Sequence, residues 1–472
     1  MLKKMPQAAF LESARSLLGP SGIITDKEEA EPYLWDFWRQ NLGVSPAVLR
    51  PSSTAEVSSV VRLAGEHGVP LVPQSGNTGL VTGGIPDRSG RQVVLSLERM
   101  NRIRDRDPAG DYIVVEAGCV LADIQQAAQD MDRLFPLSLG AQGSCRIGGN
   151  ISTNAGGVNV LRYGMTRQLV MGLEVVLGDG TIWNGLRALK KDNTGYDLKQ
   201  VFIGAEGTLG IITAAVLRLF PRPRETQTLW LAIERPAVAI ELLKRFQSTF
   251  GELITSFELL TGFGVEAAAT HLPGVRHPIE SRSDWHLLIE VEWSLTEGLL
   301  PRIESIVEEI FEAGLASDGT IALSEEQRAM MWRIREGQSE ATRHMGYIVR
   351  SDVSVKVRDL PLLIDRATAR FAESAPGVTL IPFGHVGDGN LHFNMIAPED
   401  TDDMPALKKR LLAELADMVF ELDGSFSAEH GIGRSKRDEL VQRKSEVEVS
   451  MMRQLKSTFD PANILNPGAV LR

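Results

Sequence analysis

His385 and His392 flank the turn Gly387-Asp388-Gly389. A hairpin folded over that turn brings both imidazoles to one side. With one carboxylate added, the set becomes a two-histidine, one-acid shell with open positions, suited to a catalytic divalent metal such as Zn or Mn. The acid selected here is Glu429, in Ser427-Ala428-Glu429-His430-Gly431. The chain has only eight histidines, and three sit in these two segments, which favours a site over scattered structural histidines. Histidines satisfied inside tight turns remain the alternative on the residues alone. Glu429 and His430 are neighbours, and a regular strand would point them to opposite faces. Both serve one site only if the backbone turns, which Gly431 and Gly433 permit.

Three glycine-rich segments suggest a second chemistry. The first is Pro73-Gln74-Ser75-Gly76-Asn77-Thr78-Gly79, directly after a short apolar run. The second runs from Ser138 to Gly157 and carries Gly140, Gly143, Ser144, Gly148, Gly149, Asn150, Thr153, Asn154, Gly156 and Gly157. It has almost no apolar side chain to bury. It can instead bring main-chain N–H groups close to something large, flat and anionic. The third is Gly204 to Ile212, with Glu206, Gly207, Gly210 and Ile212. Neither G-x-G-x-x-G nor G-x-x-x-x-G-K-[ST] occurs, so neither common nucleotide signature is present. Each segment taken singly also reads as a plain surface loop.

The elements that must position these groups follow from periodicity. Ser53-Thr54-Ala55-Glu56 reads as a capping box opening a helix to about His67. Val69–Pro73, Val93–Leu97 and Ile113–Ala117 read as strands, and Leu121–Met131 as a helix. Leu169–Leu177 is a strand ending in the turn Gly178-Asp179-Gly180-Thr181. The N-terminal stretch reads as a first helix stopped by Gly19-Pro20. Val201–Phe220 is a glycine turn entering a strand, and Pro221 and Pro223 mark a boundary. Beyond it, Leu407, Leu411, Leu415, Met418 and Leu422 repeat at helical spacing. Leu229–Ile233 and Trp285–Val291 are strand-like. Arg335 and Ser339 are spaced i, i+4 on an expected helix and share a face. Arg350 is expected on the strand that follows. The domains expected are 1–224, 225–424 and 425–472, the last rejoining the first.

The chain has 472 residues, more than one core usually holds. Its net charge of −11 disfavours nucleic acid as a partner. No run approaches the ~20 apolar residues of a membrane span. Two cysteines, Cys119 and Cys145, form no disulfide framework and fit a reducing, cytoplasmic setting.

Through GSCRIGGNISTNAGG, LRYGMTR, KDNTGYDLKQVFIGAEGTLGIIT, GHVGDGNLHFN, SAEHGIGRSKRD and FDPANILNPG, the chain resembles the vanillyl-alcohol oxidase / p-cresol methylhydroxylase family. Within it, the resemblance is to the D-2-hydroxy-acid dehydrogenases. It implies an α+β, two-domain p-cresol methylhydroxylase-type (PCMH-type) FAD-binding fold with an α+β substrate domain and an active site at their interface. The three glycine segments and Asn466 then bind FAD. Family members often tether the flavin through a His in the first loop. This loop has Gln74 and Ser75 instead, so the FAD is expected to be non-covalent, with Cys145 a small packed thiol. The resemblance makes His385, His392 and Glu429 the metal ligands and His430 the active-site base. It puts Arg335, Ser339, Arg350 and Asn390 at the substrate. Relatives oxidising D-2-hydroxyglutarate carry Lys and Thr where this chain has Arg350 and Ser339. The expected substrate is a D-2-hydroxy acid with a second carboxylate, D-2-hydroxyglutarate before D-malate. The expected acceptor is an electron-transfer flavoprotein or quinone, and a homodimer is implied. A D-lactate dehydrogenase or glycolate oxidase subunit, a flavin-free metal-dependent hydrolase and a non-catalytic FAD electron carrier stay open as alternatives.

Overall fold

In the computed structural model, which describes residues 6–295, 298–398 and 401–472, the helix Thr54–His67 starts at the expected cap. The Ser53 side chain accepts from Glu56 N. The reciprocal half of the capping box is missing, because Glu56 Oε2 accepts from Ser52 N at 2.7 Å instead. Gly68, at φ 62°, ends the helix. Val57, Val60, Val61 and Ala64 face inward and join Phe10 and Ala14 of the helix Pro6–Leu18 in one core. That first helix stops before Gly19, as its sequence requires.

The chain divides into two units. One comprises Met1–Gly157, Gly164–Arg222 and Glu429–Arg472; the other comprises Val158–Tyr163 and Pro223–Ala428. The expected boundaries at 224 and 424 lie close to these cuts. The short excursion Val158–Tyr163 had no composition shift to announce it.

The first unit holds a four-stranded sheet, a five-stranded sheet and the two-stranded pair Arg133–Leu134 with Phe220–Pro221. The four-stranded sheet runs Ile23–Ile24, Val48–Leu49, Val93–Ser96, Leu71–Gln74, and its last three strands are parallel. The C-terminal tail joins it: Leu71 N donates to Ile464 O at 2.7 Å and Asn466 N to Leu71 O at 2.8 Å. The five-stranded antiparallel sheet runs Ile103–Asp107, Tyr112–Glu116, Ile211–Arg218, Val170–Val176, Ile182–Gly185. The Thr54 and Thr213 hydroxyls both donate to buried Glu174, at 2.6 and 2.9 Å, which pins the helix Thr54–His67 to this sheet.

The second unit is built on an eight-stranded sheet. Its register sorts side chains by face, since alternate residues point opposite ways. Phe257, Leu259, Leu391, Phe393 and Met395 face one way, under the helices Pro236–Phe250, Leu360–Ser374 and Met404–Glu421. Fully burying such side chains contributes roughly 1.5–3 kcal/mol each. Their neighbours Glu258, His392 and Asn394 therefore face the other way. The expected helix carrying Arg335 and Ser339 stops at Glu336 and restarts as Gln338–Ala341, so the two residues lie on separate helices. Gly337, a weak helix former, sits at the break. Arg350 lies just past the strand Tyr347–Val349 rather than on it. Among the described residues, no helix is long and apolar enough to cross a membrane.

Candidate active site

A cleft of about 410 Å³ opens in the first unit, lined by all three glycine segments. It falls within the usual range for ligand sites. Pro73 through Gly79 all line it, as do Gly140, Gly148, Gly149, Asn150, Thr153, Gly156, Glu206, Gly207, Gly210 and Ile212. The glycines are there for close approach. A Cβ on Gly76 would lie 2.7 Å from Ser144 O and 2.9 Å from Arg146 N, so the first two loops touch backbone to backbone. A Cβ on Gly156 would lie 2.8 Å from Glu429 Oε1. Gly76→Ala is expected to push the two loops apart and weaken FAD binding by roughly 10–100-fold, the range set by ~1–3 kcal/mol of overpacking. Titration of the apoprotein with FAD, followed by fluorescence quenching, checks this; unchanged affinity would mean the loop contact does not shape the cradle.

Several residues expected at the cofactor are not in the cleft wall. Gly143, Ser144, Asn154, Gly157 and Asn466 lie outside it. Asn466 is a clamp behind the loops: its Nδ2 donates to Gly83 O and Glu206 O, and its Oδ1 accepts from Arg434. Asn154 Oδ1 accepts from Arg167 N. Gly157, at φ 139°, avoids a collision between a Cβ and Ser138 O. Within the wall, the amide of Gln74 donates to Tyr33 O and Gly84 O, and that of Asn77 to Trp35 O. Their side chains position the loop, so the cradle itself is backbone. The bonds to Tyr33 and Trp35 also fix the segment carrying Phe37 and Trp38, two cleft-lining aromatics that the sequence reading missed. The cluster Trp35-Asp36-Phe37-Trp38 was the available signal. Cys145 is buried in the cleft wall, and burial raises its thiol pKa, as expected of a packed, unreactive cysteine.

Glu429 and His430 both line the same cleft. No regular strand carries them; the segment turns through Gly431 at φ 77° and Gly433 at φ 51°, which removes the geometric objection to their adjacency. Glu206 organises this turn. Its carboxylate accepts from Ile432 N at 2.7 Å and Gly433 N at 2.8 Å. Burial pushes the Glu206 carboxyl up, against those two donors and Lys436. Glu206 lines the cofactor cleft as expected, and its carboxylate is taken up by the Glu429–Gly433 turn.

In the second unit, the hairpin forms as its glycines suggest: Thr379–His385 pairs with Asn390–Ala397 across the turn. The rings of His385 and His392 lie 5.6 Å apart, edge to face. Glu258 sits directly across from His385 in the neighbouring strand. Its Oε1 is 2.8 Å from His385 Nδ1, and its Oε2 accepts from Arg335 Nε at 2.5 Å. Arg335 Nη2 is 3.3 Å from His385 Nε2. A guanidinium can only donate, so Nε2 holds the lone pair and Nδ1 the proton. Burial opposes charge on Glu258, yet His385 and Arg335 hold its carboxyl well below the usual range. Burial pushes Asp388, in the turn, up to about 6. Arg335, expected to grip substrate, is thus a buried ion-pair partner. Asn390 Nδ2 donates to Asp352 Oδ1 and Val353 O, both at 2.9 Å, which leaves its buried Oδ1 as the group to offer a ligand. Ser339 is half-buried. Arg350 is half-buried too; burial, then the neighbouring Arg343, lowers its pKa. Arg333 is exposed and paired with Glu340.

For His385 to ligate a divalent metal, its Nε2 has to exchange the Arg335 guanidinium for the ion. Metal-binding histidines commonly give their other ring N–H to a carboxylate, which is the arrangement of His385 and Glu258. FAD fits the first unit's cleft, because its wall is largely glycine-segment backbone, and at Gly79 and Gly140 a Cβ would meet no protein atom within 4 Å and would stand in the open space.

Comparison with known proteins agrees with these two halves. Residues 45–185 match the FAD binding domain family, and residues 222–470 match the C-terminal domain of FAD linked oxidases. The D-2-hydroxyglutarate dehydrogenase of Bos taurus, a mitochondrial protein, is 39% identical over 96% of this chain and 81% of its own. That of Stutzerimonas stutzeri is 36% identical over 99% of each. The structure of p-cresol methylhydroxylase with substrate bound aligns with a TM-score of 0.76 at 19% identity, over 99% of this chain and 97% of the other. The fold is therefore the two-domain, PCMH-type FAD-binding fold. The chain belongs to the FAD-linked oxidases and is an FAD-linked oxidoreductase.

Proposed function

We propose that this enzyme oxidises a D-2-hydroxy acid to the 2-oxo acid, with D-2-hydroxyglutarate preferred and D-malate next. The observation that carries the reading is the cofactor cleft whose wall includes both Glu429 and His430. The names of the full-length relatives supply the substrate class. When bound, FAD supplies a two-electron acceptor and the divalent ion a Lewis acid for carboxylate and hydroxyl oxygens. His385, His392 and Glu429 would hold the ion, Zn or Mn. His430 accepts the C2 hydroxyl proton as hydride departs from C2. Glu258 holds His385 in the tautomer that presents Nε2. An electron-transfer flavoprotein or quinone takes the electrons onward, and the two buried thiols suit a reducing, cytoplasmic setting. The flavin is held without a covalent bond, so acid precipitation is expected to leave the yellow colour in the supernatant; colour in the pellet would point to Cys145.

Arg350 reads the distal carboxylate. Burial, then the neighbouring Arg343, disfavours the charge on Arg350, so a substrate anion there would relieve it. An anaerobic screen of D- and L-2-hydroxy acids for flavin bleaching tests the reading. D-dicarboxylates are expected to bleach fastest. Arg350→Ala should lower their kcat/KM by roughly 10–100-fold, the range of a lost bond to a charged group, and leave D-lactate nearly unchanged. Equal losses for both, or a wild-type preference for D-lactate or glycolate, would refute a distal-carboxylate role.

A further inference from the structure

We infer that Glu206 is a positioning residue for the catalytic turn: it latches the backbone that carries Glu429 and His430 onto the third glycine loop of the cofactor cleft. Both ends of the latch are held by neighbouring backbone. Glu206 is 9% exposed and sits at φ 50°, a left-handed conformation that a non-glycine residue adopts only when its surroundings hold it there. Its own N–H donates to Ser152 O, and Asn466 Nδ2 donates to its carbonyl, so the backbone is fixed from both sides. Its two carboxylate oxygens then take one amide each, Ile432 N and Gly433 N. These are the second and third residues after His430, at the two glycine-dependent bends of the turn.

The packing is tight enough to transmit position. A Cβ on Gly431 would lie 2.8 Å from Glu206 Oε1, and one on Gly83 would lie 3.1 Å from Oε2. Arg434 N, next in the chain, donates to Val81 O at 3.0 Å. The turn is therefore held by Glu206 at its centre and by the segment after the first glycine loop at its exit. Glu206 and the glycines after it, Gly207 and Gly210, line the cleft. The loop that shapes the cofactor site thus also sets the backbone of the proposed base. A misplacement of about 1 Å at a reacting group costs on the order of 10²-fold in rate.

This inference rests on the reading of His430 as the base, and its test separates the two. Glu206→Gln preserves shape but turns one acceptor into an NH₂ that faces an N–H. In the holoenzyme, hydrogen exchange at Ile432 N and Gly433 N is expected to quicken by ~10–100-fold, the range of a lost hydrogen bond to a carboxylate. Exchange at Leu71 N and Asn466 N, on the tail and sheet, should stay as in the wild type. Substrate-driven flavin reduction should slow by about 10²-fold while KM and FAD affinity stay within about threefold. Gly431→Ala, which crowds Glu206 from the opposite side, should give the same signature if Glu206→Gln folds poorly. Unchanged exchange at residues 432 and 433 would overturn the latch whatever His430 does. So would a loss of FAD affinity matching the loss of rate, which would place Glu206 at the cofactor. Quickened exchange with wild-type flavin reduction would overturn the positioning role.

Discussion

His430→Asn is expected to slow flavin reduction by substrate about 10²–10⁴-fold, the usual weight of a positioned general base. The protein should stay yellow. His430 lines the cleft but lies on a turn that other residues hold: Glu206 through the amides of Ile432 and Gly433, and Val81 through Arg434 N. Asparagine keeps a comparable polar volume and a hydrogen-bond donor, but it cannot carry away a proton. The loss should therefore fall on the reduction step in anaerobic stopped-flow, with substrate affinity changed much less. A larger effect on affinity than on rate would reduce His430 to a substrate-positioning residue.

The parts of this site legible in the sequence were those where local backbone chemistry is decisive. Gly387-Asp388-Gly389 between two β-rich runs could only be a tight turn, and the turn brings His385 and His392 together. The glycine segments were legible because a chain with nothing to bury must be shaped by what it binds. Long-range pairings were not legible. Glu258 meets Arg335, 77 residues away, and His385, 127 residues away, through strand order and a helix crossing that no spacing encodes. A lone acid in the apolar strand Ile254–Thr261 was the only trace of it. Glu206, read as a cofactor residue from its glycine loop, does line the cleft, but nothing in the sequence signals that at φ 50° its carboxylate also accepts from the Glu429–Gly433 turn. Gln74 and Asn77 line the cleft as expected, while their side-chain amides serve Tyr33, Gly84 and Trp35 and so hold the loop in place. Arg335 was placed at the substrate by the family resemblance; its buried neighbour Glu258 gives it a structural partner as well.

Removing divalent metal from the holoenzyme with a chelator is expected to abolish turnover and leave FAD in place, with Zn²⁺ or Mn²⁺ restoring activity. The reason lies in the second unit. Glu258 accepts from His385 Nδ1 and thereby leaves the Nε2 lone pair outward, which is the tautomer a metal ligand needs. Arg335 Nη2 lies 3.3 Å from that nitrogen, so an ion bound there has to take the lone pair from the guanidinium. His392 lies beside it, at 5.6 Å between rings. The FAD cleft draws its cradle from the glycine loops of the first unit and needs none of these side chains, so colour and turnover should separate on chelation. Glu258→Gln sharpens the test. It keeps the shape but removes the charge that orients His385, and loss of such a partner typically weakens metal affinity by about 10–100-fold. Metal titration of the chelated variant, read by elemental analysis and by recovered flavin reduction, should show that weakening with FAD still bound. Full turnover in protein shown to be metal-free would remove the metal from the mechanism and leave His385, Glu258 and Arg335 as a buried polar network that only supports the sheet.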